Sequence, residues 1–133
     1  MTDASTPSAD EVADLARRLF DAARAGDTEM LSGYIDAGVP VDLAAASGDT
    51  LIMLAAYHGH VATVSALLAR GANPNHPNDK GQTPLAGAVF KGFEEVIDAL
   101  VAGGADPDGG QPSARAAAQM FERTDLLARL DRR

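Results

Sequence analysis

The sequence predicts an all-α fold, a solenoid of about four stacked helix-turn-helix units joined by short hairpin-like loops. Two series of glycines recur at intervals of 33 residues: Gly26, Gly59 and Gly92, and Gly38, Gly71 and Gly104. Apolar positions share this interval, as at Leu19, Ile52 and Leu85. Hydrophobic residues make up 46% of the chain but aromatic residues only 5%. Alanine and leucine must therefore fill the core, which favours closely packed helices over a sheet sandwich.

The central unit contains two helical patterns. Thr50 is a suitable N-cap for a first short helix that runs to about Tyr57, and Gly59 can end it in the left-handed conformation. A second helix is indicated by apolar residues at spacings of three and four: Val61, Val64, Leu67 and Leu68. This helix stops before Gly71. The tight turn between the two helices makes them antiparallel.

The next unit has the same kind of helix N-cap and the same glycines at the helix ends. Thr83 caps its first helix, and Pro84 occupies the first helical position, where a missing N–H costs nothing. Gly92 and Gly104 end the two helices. Gly87 lies inside the first helix and costs about 1 kcal/mol relative to alanine. We expect this glycine to let a neighbouring helix come close.

The chain resembles the ankyrin-repeat family in two stretches, GDTLIMLAAYHGHVATVSALLARGANPN and GQTPLAGAVFKGFEEVIDALVAGGADPD. The resemblance implies a single domain over 10–133, made of an N-terminal capping repeat at 10–44, full repeats at 45–77 and 78–108, and a truncated C-terminal capping repeat at 109–133. Residues 1–9 are small and polar, and we predict that they form a disordered tail.

Several positions depart from the family pattern. Arg17 stands where the other units have threonine. Met53 and Ala86 stand where the family normally has histidine, so the contact between repeats must rely more on apolar side chains. In the last unit Glu122 occupies the glycine position, 30 residues after Gly92. We interpret this spacing as a shortened hairpin leading into a cap, since a terminal repeat has one unstacked face.

The charge of the chain argues against nucleic acid and anionic membranes as partners. The formal net charge is −8, from 19 acidic and 11 basic residues, and it repels phosphate backbones and anionic lipids. Arginines gather near the C-terminus, where they either steer an oriented partner or lie on solvated helix faces. There is no cysteine, and no apolar run approaches the roughly 18–20 residues of a membrane span. We expect a cytoplasmic protein that is monomeric on its own.

The resemblance to ankyrin repeats implies a protein-protein interaction module or regulatory adaptor that binds a partner protein through its concave face. The candidate contact residues that precede the glycines are Arg24, Tyr57, His58, Phe90, Lys91, Met120 and Phe121. The candidates at the hairpin tips are Ser47, Asp49, Asn78, Asp79, Lys80 and Gln82. Two interpretations stay open for each set. The aromatic residues either anchor a partner or plug grooves between adjacent repeats, and the tips either contact a partner or are simply solvated.

No residue pattern indicates catalysis, a cofactor or a metal. The sequence lacks a cysteine nucleophile, a G-x-S-x-G elbow, a phosphate-binding glycine loop and an H-E-x-x-H motif. The candidates for a metal site are His58, His60 and His76. His58 and His60 flank a glycine turn and do not share a helix face, and a site also needs third and fourth ligands in fixed geometry, so we expect no metal site. We predict that the protein is not an enzyme. The alternatives to an adaptor are a homo-oligomeric scaffold and an enzyme-associated subunit.

Overall fold

The computed structural model describes residues 8–132, which fold into eight helices without a strand. The helices are α1 (Ala9–Ala25), α2 (Thr28–Asp36), α3 (Leu51–Tyr57), α4 (Val61–Ala69), α5 (Pro84–Lys91), α6 (Glu94–Ala102), α7 (Ala114–Met120) and α8 (Thr124–Leu130). Turns of two or three residues join them into four consecutive pairs, α1–α2 to α7–α8. The predicted all-α solenoid of helix-turn-helix units is confirmed.

A hydroxyl side chain starts the first helix of every pair. Ser8, Thr50, Thr83 and Ser113 each accept a hydrogen bond from the backbone N–H three residues ahead, at 3.0 to 3.2 Å. These bonds satisfy N–H groups that the start of a helix leaves without a partner. Ser8 and Ala9, at the end of the predicted tail, are the N-cap and the first residue of α1. The rest of the predicted tail, residues 1–7, lies outside the described residues.

The first helix is longer than its counterparts in the other pairs. It has 17 residues, whereas α3 has seven and α5 has eight. The position that corresponds to Thr50 and Thr83 consequently lies inside α1, where Arg17 pairs with Asp14 on the exposed surface. The missing threonine thus has a structural reason: this helix is capped by Ser8, further back along the chain.

A residue in the left-handed conformation follows the first helix of each pair. In the first three pairs it is a glycine, with φ of 77° at Gly26 and Gly59 and 74° at Gly92. In the last pair it is Glu122, with φ of 55°. This finding supports the shortened register inferred from the sequence. A side chain with a Cβ is strained in this conformation, so Glu122 is a weak point of the last turn.

Replacing Glu122 with glycine is expected to stabilise the chain by about 0.5–1 kcal/mol, because the relief of strain exceeds the extra flexibility of glycine in the unfolded chain. Urea unfolding followed by circular dichroism measures this change. Glu122→Gln is the matched control, since it removes the same charge and keeps the Cβ. Equal stabilities for the two variants would show that the charge, and not the backbone, governs this position.

The core lies between two layers of helices. The first helices α1, α3, α5 and α7 contact one another in sequence, and so do the second helices α2, α4, α6 and α8. Leu19, Ile52 and Leu85, at one repeated apolar position of the first three units, are buried, as are Met53 and Ala86, which replace the family's histidine. The stack is therefore held by apolar contact, as expected from those two substitutions. None of the described helices has the length and apolar character needed to cross a membrane.

Arginines near the C-terminus connect the last helix pair to its neighbours. Arg129 of α8 pairs with Asp98 of α6. Arg115 of α7 contacts the carboxylates of Asp108 and Asp131 at 2.8 and 3.0 Å. Solvated helix faces do not describe these two side chains, which are ion-paired and only 25% and 29% exposed. Because such pairs are partly exposed, solvent screens them and they contribute little to the stability of the chain.

Candidate functional site

The ends of the first helices and the hairpin loops together border an open groove. A smaller cavity of about 180 Å³ is lined by Tyr57, Gln82, Gly87, Phe90 and Lys91. A larger one of about 320 Å³ lies at the hairpins and is lined by Ser47, Asp49, Tyr57, Asn78, Asp79, Lys80 and Gln82. Tyr57 and Gln82 border both cavities, so the two adjoin. We call them together the Tyr57–Phe90 groove.

Tyr57 forms the floor of this groove where α3 meets α5. A Cβ atom added to Gly87 would lie 1.5 Å from Cε1 of the Tyr57 ring, so the ring rests directly on the backbone of α5. The sequence predicted that Gly87 lets a neighbouring helix come close. In the structure, the part of that helix that lies against Gly87 is the Tyr57 ring. Burial raises the pKa of the Tyr57 hydroxyl above its usual value, and the carboxylate of Asp49 adds to the increase.

Large apolar side chains next to the groove remain exposed. Phe90 and Phe121 are each 48% exposed and Met120 is 63% exposed. The two phenyl rings meet edge to face, with centroids 5.2 Å apart and planes at 82°, which is a favourable arrangement. We call these three residues the apolar ridge. With roughly 200 Å² for each side chain, the ridge exposes about 300 Å² of apolar surface, the size of the largest patch on many monomeric proteins.

The hairpin tips bond to one another. Asn78 is buried, and its side-chain oxygen accepts hydrogen bonds from the backbone N–H groups of Lys80 and Gln82, both at 3.0 Å. Its amide nitrogen donates to Asp49 Oδ1 at 2.9 Å and to Gln82 Oε1 at 2.8 Å. Asn78, which the sequence offered as a polar partner contact or a solvated tip, instead bonds within its own hairpin and, through Asp49, to the preceding hairpin. Asp79 and Lys80 are exposed.

Arg24 and His58 lie outside the residues that line the groove. Arg24 pairs with Asp21 one turn earlier in α1, at 2.9 Å. His58 is exposed and stacks against His60, with ring centroids 6.4 Å apart. His60 has a structural contact, because its Nε2 donates to the backbone oxygen of Arg24 at 2.7 Å. Within residues 8–132 no three histidine, aspartate or glutamate side chains are arranged to hold a metal ion.

Comparison with known proteins identifies the family of this stack. A family model described as ankyrin repeats, in three copies, matches residues 19–109. The chain belongs to the ankyrin-repeat family. A protein of Pseudomonas aeruginosa whose name refers to ankyrin repeats is 43% identical to this ankyrin-repeat chain over 65 residues. The match covers 48% of the present chain and 38% of that relative, so this chain spans well under half of the relative's length.

The last ankyrin unit lies beyond the matched residues and still follows the same plan. Its helices α7 and α8 begin after residue 109, its first helix has a hydroxyl cap at Ser113, and Glu122 has the left-handed conformation of the earlier glycines. The fourth unit therefore extends the stack that the three matched ankyrin repeats begin. It also contributes Met120 and Phe121, two of the three residues of the apolar ridge.

Proposed function

We propose that this ankyrin-repeat chain is an adaptor that captures a partner protein in the Tyr57–Phe90 groove and on the adjoining apolar ridge. Ankyrin repeats are protein-protein interaction modules. The exposure of Phe90 and Phe121 beside the groove supports this specific surface. Large aromatic and methionine side chains of this kind anchor many interfaces because they bury much area at a modest cost in conformational entropy. We also propose that the protein is cytoplasmic and is not an enzyme.

The rigidity of the ridge favours binding. Phe90 and Phe121 support each other through their edge-to-face contact, so less conformational freedom is lost when a partner covers them. Burial of about 300 Å² of apolar surface is worth on the order of 7 kcal/mol before the costs of association are subtracted. The ridge with the groove can thus provide the central contact of a reversible complex.

The charge of the chain favours an external partner over self-association. Two copies of this chain would bring together net charges of −8 each, which repel. We therefore propose a monomer that binds a different protein, and not a homo-oligomeric scaffold.

Removing the two phenyl rings of the ridge is expected to weaken capture of a partner without unfolding the chain. The test compares proteins crosslinked to the wild-type chain with those crosslinked to the double variant Phe90→Ser and Phe121→Ser. We expect recovery of the partner to fall at least tenfold, as is typical for the loss of a central aromatic anchor of about 2 kcal/mol or more. Val12→Ser is the matched control, because Val12 is 53% exposed on α1 and outside the groove. Equal recovery by all three proteins would refute the proposed surface.

A further inference from the structure

Few cationic side chains in the described part of the chain are free of carboxylate partners. Its arginines form ion pairs, with the exception of Arg132. The chain has two lysines, Lys80 and Lys91, and neither is paired within residues 8–132. Both lysines line the Tyr57–Phe90 groove. On this acidic protein, the surface proposed for partner binding thus contains two lysines that have no carboxylate partner among the described residues.

The two lysines differ in their electrostatic surroundings. Lys80 lines the hairpin cavity together with the carboxylates of Asp49 and Asp79, so that end of the groove has no excess of positive charge. Lys91 is the charged residue of the smaller cavity, whose other lining groups include the Tyr57 and Phe90 rings. The groove therefore combines an apolar wall with one uncompensated cation at its α5 end.

We infer that the groove recognises a segment of the partner protein in which a bulky apolar side chain is next to an aspartate or glutamate. The apolar side chain fills the cavity between Tyr57 and Phe90, and the carboxylate accepts a charge-assisted hydrogen bond from the Lys91 ammonium group. This inference rests on the proposed function and adds the chemistry of the ligand. It also defines which end of the groove the carboxylate occupies, because Asp49 and Asp79 repel a carboxylate from the hairpin end.

Other ligand charges fit this surface less well. A cationic residue beside the apolar side chain would face Lys91, and like charges placed together at an interface weaken binding. A purely apolar segment would leave the ammonium group partly covered without a partner, which costs free energy. A carboxylate at the Lys91 end avoids both penalties.

The test is the selection of peptides from a random library displayed on phage, with the full chain as bait. We expect the wild-type chain to enrich peptides in which Leu, Met or Phe stands next to Asp or Glu. Lys91→Glu should reverse the preference toward Lys or Arg, and it should bind the synthetic peptides chosen by the wild type about tenfold more weakly. Arg132→Glu is the matched control, since it reverses the charge of an unpaired cation that lies outside the groove. This variant should still select peptides with an acidic residue.

The possible outcomes separate this inference from the proposed function. If the selected peptides require the Phe90 and Phe121 rings but Lys91→Glu does not change their charge preference, the proposed contact between a carboxylate and Lys91 is refuted. The proposed binding surface is then still supported. Peptides that bind the Phe90→Ser and Phe121→Ser double variant as tightly as the wild type would overturn the surface itself. Failure to enrich any peptide family would count against the recognition of a short segment.

Discussion

Replacing Gly87 with alanine is expected to expel the Tyr57 ring from the groove and to destabilise the chain by about 1–3 kcal/mol. The added Cβ would lie 1.5 Å from Tyr57 Cε1, a separation that no relaxation of the ring in its present position can accommodate. The substitution would otherwise favour the helix, because alanine is a better helix former than glycine. Urea unfolding measures the loss of stability.

The position of the ring can be followed through its hydroxyl group. Burial raises the pKa of Tyr57 in the native chain, so expulsion of the ring should lower that pKa toward its usual value. A spectrophotometric titration in a Tyr34→Phe background isolates this group, because the chain has two tyrosines. The peptides selected by the wild-type groove should also bind the Gly87→Ala variant weakly, since the cavity loses its floor.

The control for this prediction is the same substitution in a chain that lacks the ring. In a Tyr57→Ala background, Gly87→Ala is expected to stabilise the chain by up to about 1 kcal/mol, because only the gain in helix propensity remains. The two backgrounds should therefore give changes of opposite sign. A similar loss of stability in both would mean that the alanine clashes with something other than Tyr57.

Truncation of Ile97 to alanine is expected to cost about 2–5 kcal/mol, the range observed when a large aliphatic side chain is removed from a packed core. Ile97 is fully buried on α6, and α6 contacts both α4 and α8. A cavity there removes apolar contacts from a helix that joins two neighbouring units of the stack. For a small domain with a total stability of about 5–15 kcal/mol, this loss should bring the unfolding midpoint to much lower urea concentration.

Val12→Ala provides a matched comparison for the truncation of Ile97. Val12 is an aliphatic residue that is 53% exposed on α1, and its truncation should change the stability by no more than about 0.5 kcal/mol. Because a repeat stack is stabilised mainly by contacts between neighbours, the Ile97 variant should also unfold less cooperatively. Equal effects of the two truncations would contradict the layered core described above.

The sequence by itself predicted the repeating architecture, since periodicity and capping act locally. Thr50, Thr83 and Pro84 start helices through contacts within the first turn. The apolar spacing defines which face each helix buries. The shortened last unit was predicted as well: the sequence placed Glu122 at the glycine position, and Glu122 has the left-handed conformation of the earlier glycines.

The tertiary structure alone decided the roles of individual side chains on the surface, because those roles depend on contacts between residues about one repeat apart in the chain. Tyr57 and Phe90 occupy similar sequence positions, yet Tyr57 rests on Gly87 while Phe90 stays half exposed beside Phe121. Asn78 became a buried link between hairpins for the same reason. Sequence spacing predicts which face of its own helix or loop a residue occupies. Whether a neighbouring repeat covers that face depends on the shape and size of side chains that lie far away in the sequence.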